Sequence, residues 1–187
     1  ADLRLNTEVT KVDPKTKTVT FSTSKGTIDS LSYDAVVFAT GAQPSSPPIE
    51  GLESPHVHRL HTFEDAKQLQ AVAKKGKTAA IIGAGLVGLE TAEALHSLGL
   101  KITVIEFLHQ VLPAMIDEEM GTLVQERMEE EGVSVKLGTA AKKVTKTHVL
   151  AADRETNTEE KIPAEIVVVA TGVRANTNLA KEAGITL

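Results

Sequence analysis

The chain has 187 residues, of which 41% are hydrophobic and 24% charged, with a net charge of −5, the balance of one globular domain, or of one domain with pieces of another. An aromatic content of 3% without tryptophan argues against a stacking platform for single-stranded nucleic acid, and the acidic balance leaves no basic footprint for nucleic acid or an anionic membrane. The absence of cysteine excludes disulfides, thiolate metal sites and a cysteine nucleophile within these residues.

Leu3, Leu5, Val9 and Val12 stand among polar partners, which predicts an opening β-strand. Asp13-Pro14-Lys15-Thr16 is a turn signal, followed by a second strand at Val19-Thr20-Phe21 and a turn at Ser24-Lys25-Gly26. Residues 33–39 are mostly apolar and predict a strand buried on both faces, closing on Ala39-Thr40-Gly41. The three prolines of residues 43–48 predict an extended connector that neither continues a strand nor starts a helix. Thr62 stands three residues before Asp65, a capping-box pattern, and Ala66, Leu69, Val72 and Ala73 follow at helical spacing up to a stop near Lys74-Lys75-Gly76.

Residues 78–82 read as a short buried strand, and residues 83–88 as a glycine-rich turn entering a helix that runs to about Leu98, with Gly99 as its stop. Residues 101–105 are the next strand, with Glu106 at its end. Residues 118–131 are helical, with Met120, Leu123, Val124 and Met128 on one side and Gly132 at the end. Residues 133–137 make a third parallel strand. Residues 142–152 and 160–162 read as an antiparallel hairpin joined at Arg154-Glu155-Thr156-Asn157, and residues 165–170 return as a buried strand. The β-α-β-α-β order predicts an α/β fold, a doubly wound parallel sheet with an antiparallel β-meander. No apolar run is long enough for a membrane span, and the first residues carry no signal-peptide pattern. A cytoplasmic location is expected.

Two similar segments bracket the centre. Residues 33–41 and 164–172 each run through apolar residues into Ala-Thr-Gly, about 130 residues apart. A coarse internal repeat accompanies them, Val-Thr-Lys-Val at 9–12 and Lys-Val-Thr-Lys at 143–146, each followed by a hairpin. The second copy is preceded by a whole βαβαβ unit and the first is not, so the chain is expected to be the middle of a larger protein.

Between the brackets lies Gly83-Ala84-Gly85-Leu86-Val87-Gly88, placed between a strand and a helix as a dinucleotide fingerprint requires. Gly83 permits the tight turn, Gly85 lets the backbone approach a pyrophosphate, and Gly88 lets helix and strand pack closely. The helix start offers free N–H donors to phosphates. Glu106 lies 18 residues after Gly88, where a carboxylate accepts the adenosine ribose hydroxyls and repels a 2′-phosphate. The following Phe107-Leu108-His109-Gln110 supplies no Arg or Lys, so NAD(H) is preferred over NADP(H), although a protonated His109 could assist a phosphate at low pH. Glu90, read as first-turn, is either a dipole complement or a group at the nicotinamide end. His56, His58 and His61 lack a completing carboxylate or Cys, and no metal is expected. Residues 129–131 are a solvated helix end, and no arrangement for nucleophilic catalysis is visible.

These residues resemble the pyridine nucleotide-disulfide oxidoreductase family, in particular NADH oxidase, NADH peroxidase and coenzyme A disulfide reductase. The resemblance rests on residues 33–43, 81–90 and 102–106, on Val111-Leu112-Pro113, and on residues 167–176. It implies an FAD domain interrupted by an NAD domain. Residues 1–43 would be the tail of the first FAD segment, 44–61 a connector, 62–172 the NAD(H) domain and 173–187 the return. The FAD fingerprint, a redox-active Cys and a C-terminal dimerisation domain, through which an intact parent would form a homodimer, are not in this sequence. The fragment alone is therefore expected to be inactive.

The resemblance also assigns sites. Gly83, Gly85, Leu86, Val87 and Gly88 would hold the pyrophosphate region, Glu106 the ribose, and Met115 the adenine. Glu90 would contact the nicotinamide carboxamide, and Thr171 and Gly172 would border the nicotinamide half. Val9, Thr40 and Gly41 would approach FAD in the intact parent. Several family members carry an aromatic gate where Leu86 stands. The resulting expectation is an NADH-binding portion of an FAD-dependent oxidoreductase that passes electrons to a Cys-based or disulfide acceptor, oxygen or peroxide. A ferredoxin- or rubredoxin-type reductase, and a non-catalytic NAD(H)-responsive module related in fold to apoptosis-inducing factor, are the alternatives.

Overall fold

Three antiparallel strands open the chain in the computed structural model, which describes residues 1–186. They are β1 (Thr7–Asp13), β2 (Thr18–Thr23) and β3 (Ile28–Ser32), in that sheet order. Asp13 accepts the N–H groups of Lys15 and Thr16 at 2.9 and 3.2 Å. This Asx-type turn lets Lys17 take a left-handed φ of 53° and closes the first hairpin. Val12 and Phe21 are buried. β1 starts only at Thr7, and Leu3 and Leu5 are exposed, so the opening strand is shorter than its apolar pattern predicts. β3 was not legible, because all five of its residues are exposed and only pairing with β2 makes it a strand.

Residues 33–39 correct the expectation of a buried strand. They form no strand, and Val37 is 87% exposed. A strand exists by its ladder, and no described segment pairs with these residues.

These residues belong to one of two compact units, comprising 1–43 with 174–187; the other is 44–173. The Pro-rich stretch begins with a three-residue strand, β4 (Ala42–Pro44), where none was expected. A Pro is tolerated there because β4 lies in a sheet of two strands and each strand is an edge.

The second unit then adds β5 (Val57–His58), α1 (Phe63–Val72), β6 (Thr78–Ile82), α2 (Leu86–Ser97) and β7 (Lys101–Ile105). It continues with α3 (Glu118–Glu130), β8 (Ser134–Lys136), β9 (Thr139–Val144), β10 (His148–Asp153), β11 (Glu159–Pro163) and β12 (Ile166–Val169). The strands β5-β12-β6-β7-β8 form one parallel sheet, and β11-β10-β9 an antiparallel one. Alternation along the parallel strands builds three layers. Ala79, Ile81, Ile102, Val104, Ile166 and Val168 face the helices and meet Leu69, Ala92 and Leu95. Ala80, Ile82, Ile105, Val167 and Val169 face the antiparallel sheet and meet Val144, Val149, Ala151 and Ile162.

The helix ends follow local chemistry. Thr62 and Asp65 form the reciprocal capping box at α1. The helix stops at Val72, before the expected lysines, because Ala73 turns extended at ψ 107° while its N–H closes on the Leu69 carbonyl. Asp117 caps α3 through the Met120 N–H at 2.9 Å. Met120 and Leu123 are exposed, contrary to the single apolar side expected, since α3 meets the core through Val124 and Met128.

Residues 142–152 are not one strand. Thr145 donates its N–H to the His148 carbonyl at 2.9 Å, and its hydroxyl accepts the His148 N–H at 3.2 Å, which turns the chain from β9 into β10. The turn after β10 repeats the first hairpin. Asp153 accepts the Glu155 and Thr156 N–H groups at 3.0 and 2.8 Å, and Asn157 has φ 56°. The chain ends through β13 (Val173–Ala175), paired with β4, and α4 (Asn178–Glu182), which lies against β1 with Ala180 buried. No helix among the described residues is long and apolar enough to cross a membrane.

Candidate functional site

The order β5-β12-β6-β7-β8 reverses between β6 and β12, a topological switch point. In open α/β sheets ligands bind there, beyond the carboxyl ends of the strands. The loop from β6 to α2 occupies this place.

Its three glycines have different reasons. Gly83 has φ 109°, and a Cβ there would lie 2.5 Å from the Ala170 carbonyl oxygen. A Cβ on Gly88 would lie 2.0 Å from the Gly83 oxygen, so both positions are closed by packing. A Cβ on Gly85 would meet nothing within 4 Å, so its lack of a side chain serves open space. Gly85 is also the N-cap of α2 and makes no side-chain cap bond. The first-turn N–H groups of α2 are left for a ligand, at the positive end of the helix dipole.

Glu106 sits at the end of β7, 8% exposed. Its Oε2 accepts the Ala84 N–H at 2.6 Å and its Oε1 the Leu108 N–H at 2.8 Å. A carboxylate has about four lone-pair positions, so acceptor capacity remains for two hydroxyls. The Ala84 carbonyl accepts the Leu112 N–H at 2.9 Å, and Leu112 takes a left-handed φ of 50°. Ala84 thus clasps the loop that carries Met115.

These parts enclose a pocket of about 670 Å³, within the range of small-molecule sites. Of the residues expected at a cofactor site, Gly83, Gly85, Leu86, Glu106, Met115, Thr171 and Gly172 line it. Gly88 lies buried beneath the loop, and Val87 is exposed along the groove between α1 and α2. Glu90 corrects its first-turn expectation. It is the fifth residue of α2, exposed, and borders the outer grooves of the helix rather than this pocket.

Val9, Thr40 and Gly41 belong to the first unit. Val9 is half-exposed beside a bulge in β1 and pairs with Phe21. The Thr40 hydroxyl donates to the Asn176 carbonyl at 2.6 Å, and the Asn176 side-chain amide donates to the Thr40 carbonyl at 2.9 Å. The Gly41 carbonyl accepts the Asn176 N–H at 2.9 Å.

The fold also brings in residues that sequence reasoning missed. No cation follows Glu106 in sequence, yet Arg154 reaches its neighbour. The Arg154 guanidinium donates to the Phe107 carbonyl at 3.0 Å and lies 3.8 Å from the Phe107 ring centroid. His109 packs its ring over Gly138, with Nε2 4.0 Å from Glu155. Pro47, Pro48 and Lys142 complete the pocket wall. No local signal marks any of these, since each acts through tertiary contact. His56 bonds the Thr145 carbonyl through Nε2 at 2.9 Å, and burial, followed by the neighbouring His56, holds His58 below its ordinary pKa. Among the described residues no group of three His, Cys, Asp or Glu could hold a metal ion.

A parallel sheet with its switch point, an open glycine loop at a helix start and an acidic residue at the next strand end define an α/β fold of the dinucleotide-binding class. The chain belongs to the pyridine nucleotide-disulphide oxidoreductase family, whose model matches residues 1–187. It is 37% identical over 188 residues to an NADH oxidase of Methanocaldococcus jannaschii, covering 98% of this chain and 41% of that protein. It is 33% identical over 155 residues to a probable ferredoxin reductase of Castellaniella defragrans, covering 83% of this chain and 38% of that one. An NAD-dependent persulfide reductase from A. fulgidus superposes with a TM-score of 0.85 at 40% identity, over 97% of this chain and 33% of that one. The chain therefore spans less than half the length of these relatives.

Proposed function

We propose that the pocket binds NADH, and that the chain is the NADH-binding portion of an FAD-dependent oxidoreductase. One observation carries this reading: the open space at Gly85 faces an uncapped helix N-terminus, with the buried Glu106 carboxylate lining the same pocket. The α2 N–H groups hold the pyrophosphate, Glu106 accepts the ribose hydroxyls, and Met115 packs toward the adenine. Thr171 and Gly172 border the nicotinamide half. The φ of 89° at Gly172, with nothing within 4 Å of a Cβ there, suits close backbone approach by a ligand.

NADH supplies a hydride and the flavin of the intact parent accepts it, while the protein positions them. Val9, Thr40 and Gly41 are assigned to the flavin side of that parent. The terminal acceptor is a Cys-based centre, a disulfide, oxygen or peroxide. No Cys lies in these residues, so a thiol acceptor would come from elsewhere in the parent. The similarity to a probable ferredoxin reductase supports a second reading, in which the acceptor is a ferredoxin- or rubredoxin-type partner. A parent with a redox Cys would support the first, and one without it the second.

Calorimetric titration of the 187-residue chain with NADH and NADPH tests the reading. Tighter binding of NADH, without oxidation when FAD is added, is the expected result. Equal affinity for the two would remove the role given to Glu106, and no binding of either would overturn the reading.

A further inference from the structure

We propose that Lys142 recognises the phosphates of the dinucleotide from the wall of the pocket that the glycine loop also lines. The inference rests on the NADH reading of this pocket. In β9, Lys143 pairs with Leu150 and Ala141 with Ala151, so Lys142 is the extra residue of a β-bulge. A bulge bends its strand and re-aims a side chain, and bulges are common beside functional sites.

This one is pinned from outside. The Glu50 N–H donates to the Lys142 carbonyl at 3.2 Å, and the Glu50 carbonyl accepts the Val144 N–H at 2.7 Å. Lys142 lines the pocket, while Lys143 pairs with the Glu50 carboxylate at 2.6 Å.

The charges of the pocket sharpen the assignment. Among the described residues, Lys142 and Glu106 are the only charged ones in its lining. Lys136 and Lys143 pair with Glu160 and Glu50, whereas Lys142 has no ion-pair or side-chain hydrogen-bond partner among the described residues. Glu106 is itself engaged by the N–H groups of Ala84 and Leu108. An ammonium without an ion-pair partner, in a pocket that the start of α2 also lines, suits a dianionic pyrophosphate, to which Lys acts as a flexible point charge.

Thr139, three residues before Lys142, donates its N–H to the Glu106 carbonyl at 2.9 Å, so β9 meets the end of β7 at Thr139 and not at Lys142.

The test is calorimetry with NADH, NADPH and ADP-ribose, at low and high salt, on the wild-type chain and the variants Lys142→Ala, Lys142→Arg and Lys142→Glu. Thermal melts establish that each variant is folded. Lys142→Ala should weaken all three ligands by roughly tenfold, with a deficit that shrinks at high salt. Lys142→Glu should weaken them further, and Lys142→Arg should restore most of the affinity. Unchanged affinity in folded Lys142→Ala, or a loss confined to NADPH, overturns the proposal. If the wild-type chain binds none of the ligands, the NADH reading fails and this proposal with it; failure at the variant stage alone leaves that reading standing.

Discussion

The Glu106 carboxylate accepts the Ala84 N–H at 2.6 Å, so the side chain proposed to bind a ribose also ties the end of β7 to the middle of the glycine loop. With its second oxygen on the Leu108 N–H, it braces the site before any ligand arrives. Glu106→Ala should weaken NADH binding and also lower the stability of the ligand-free chain by about 1–3 kcal/mol, since it strands a buried donor. Glu106→Gln should behave similarly, because its NH₂ group must face one of the two N–H donors. Thermal melts and calorimetry separate the two effects, and a wild-type melting temperature for Glu106→Ala would refute the bracing role.

Gly85 and Gly88 should part company on substitution. A Cβ at Gly88 would lie 2.0 Å from the Gly83 carbonyl oxygen, and Gly88→Ala should disrupt the α2–β6 packing and lower the melting temperature sharply. Gly85→Ala has open space around it and an ordinary φ of −77°. It should fold normally and lose NADH affinity, because the methyl group would occupy the space proposed for the pyrophosphate. Equal melting temperatures for the two variants would contradict the distinction.

The capping box of α1 gives a pH prediction. Hydrogen bonds from the Thr62 backbone and side chain, and then from the His61 backbone, hold Asp65 below the ordinary carboxyl value of 3.8, against an opposing effect of burial. A pKa depressed in the folded state stabilises above the unfolded value and is lost as pH falls through the folded one. The melting-temperature gap between the wild-type chain and Asp65→Asn should therefore be full at neutral pH and close as the pH falls below 3.8. At neutral pH, Thr62→Ala should cost about 1 kcal/mol, measurable by denaturant titration.

Arg154→Ala should have a small and local effect. The guanidinium stacks on an exposed Phe107 ring and bonds its carbonyl, an arrangement worth about 0.5–1 kcal/mol at the surface. Hydrogen exchange should speed at the amides after Glu106 and leave those of β6 unchanged. Faster exchange in β6 would mean that Arg154 braces the sheet itself.

The parallel core was legible because its signals are local. β6 and β7 are short apolar runs, α2 opens on a glycine turn, and Thr62 and Asp65 carry the α1 start in their spacing. The turn at Asp13 was legible for the same reason, and so was a turn over residues 154–157, although its initiation by Asp153 was not. Other features depend on distant partners. Residues 33–39 and 166–169 share one apolar pattern, yet only the second finds neighbours, in β5 and β6. The bulge at Lys142 and the reach of Arg154 to Phe107 depend on register and tertiary packing, which no spacing within either segment encodes.

The position of β12 has a consequence for how the chain assembles. Ile166 pairs with Ala79, and Val167 with Val57, so the strand made last in this sheet is inserted between two made early. During synthesis β5 and β6 would wait with unsatisfied inner edges until β12 emerges. The long-range pairing should slow the final step of folding and leave an intermediate with an apolar slot, open to chaperones and to aggregation.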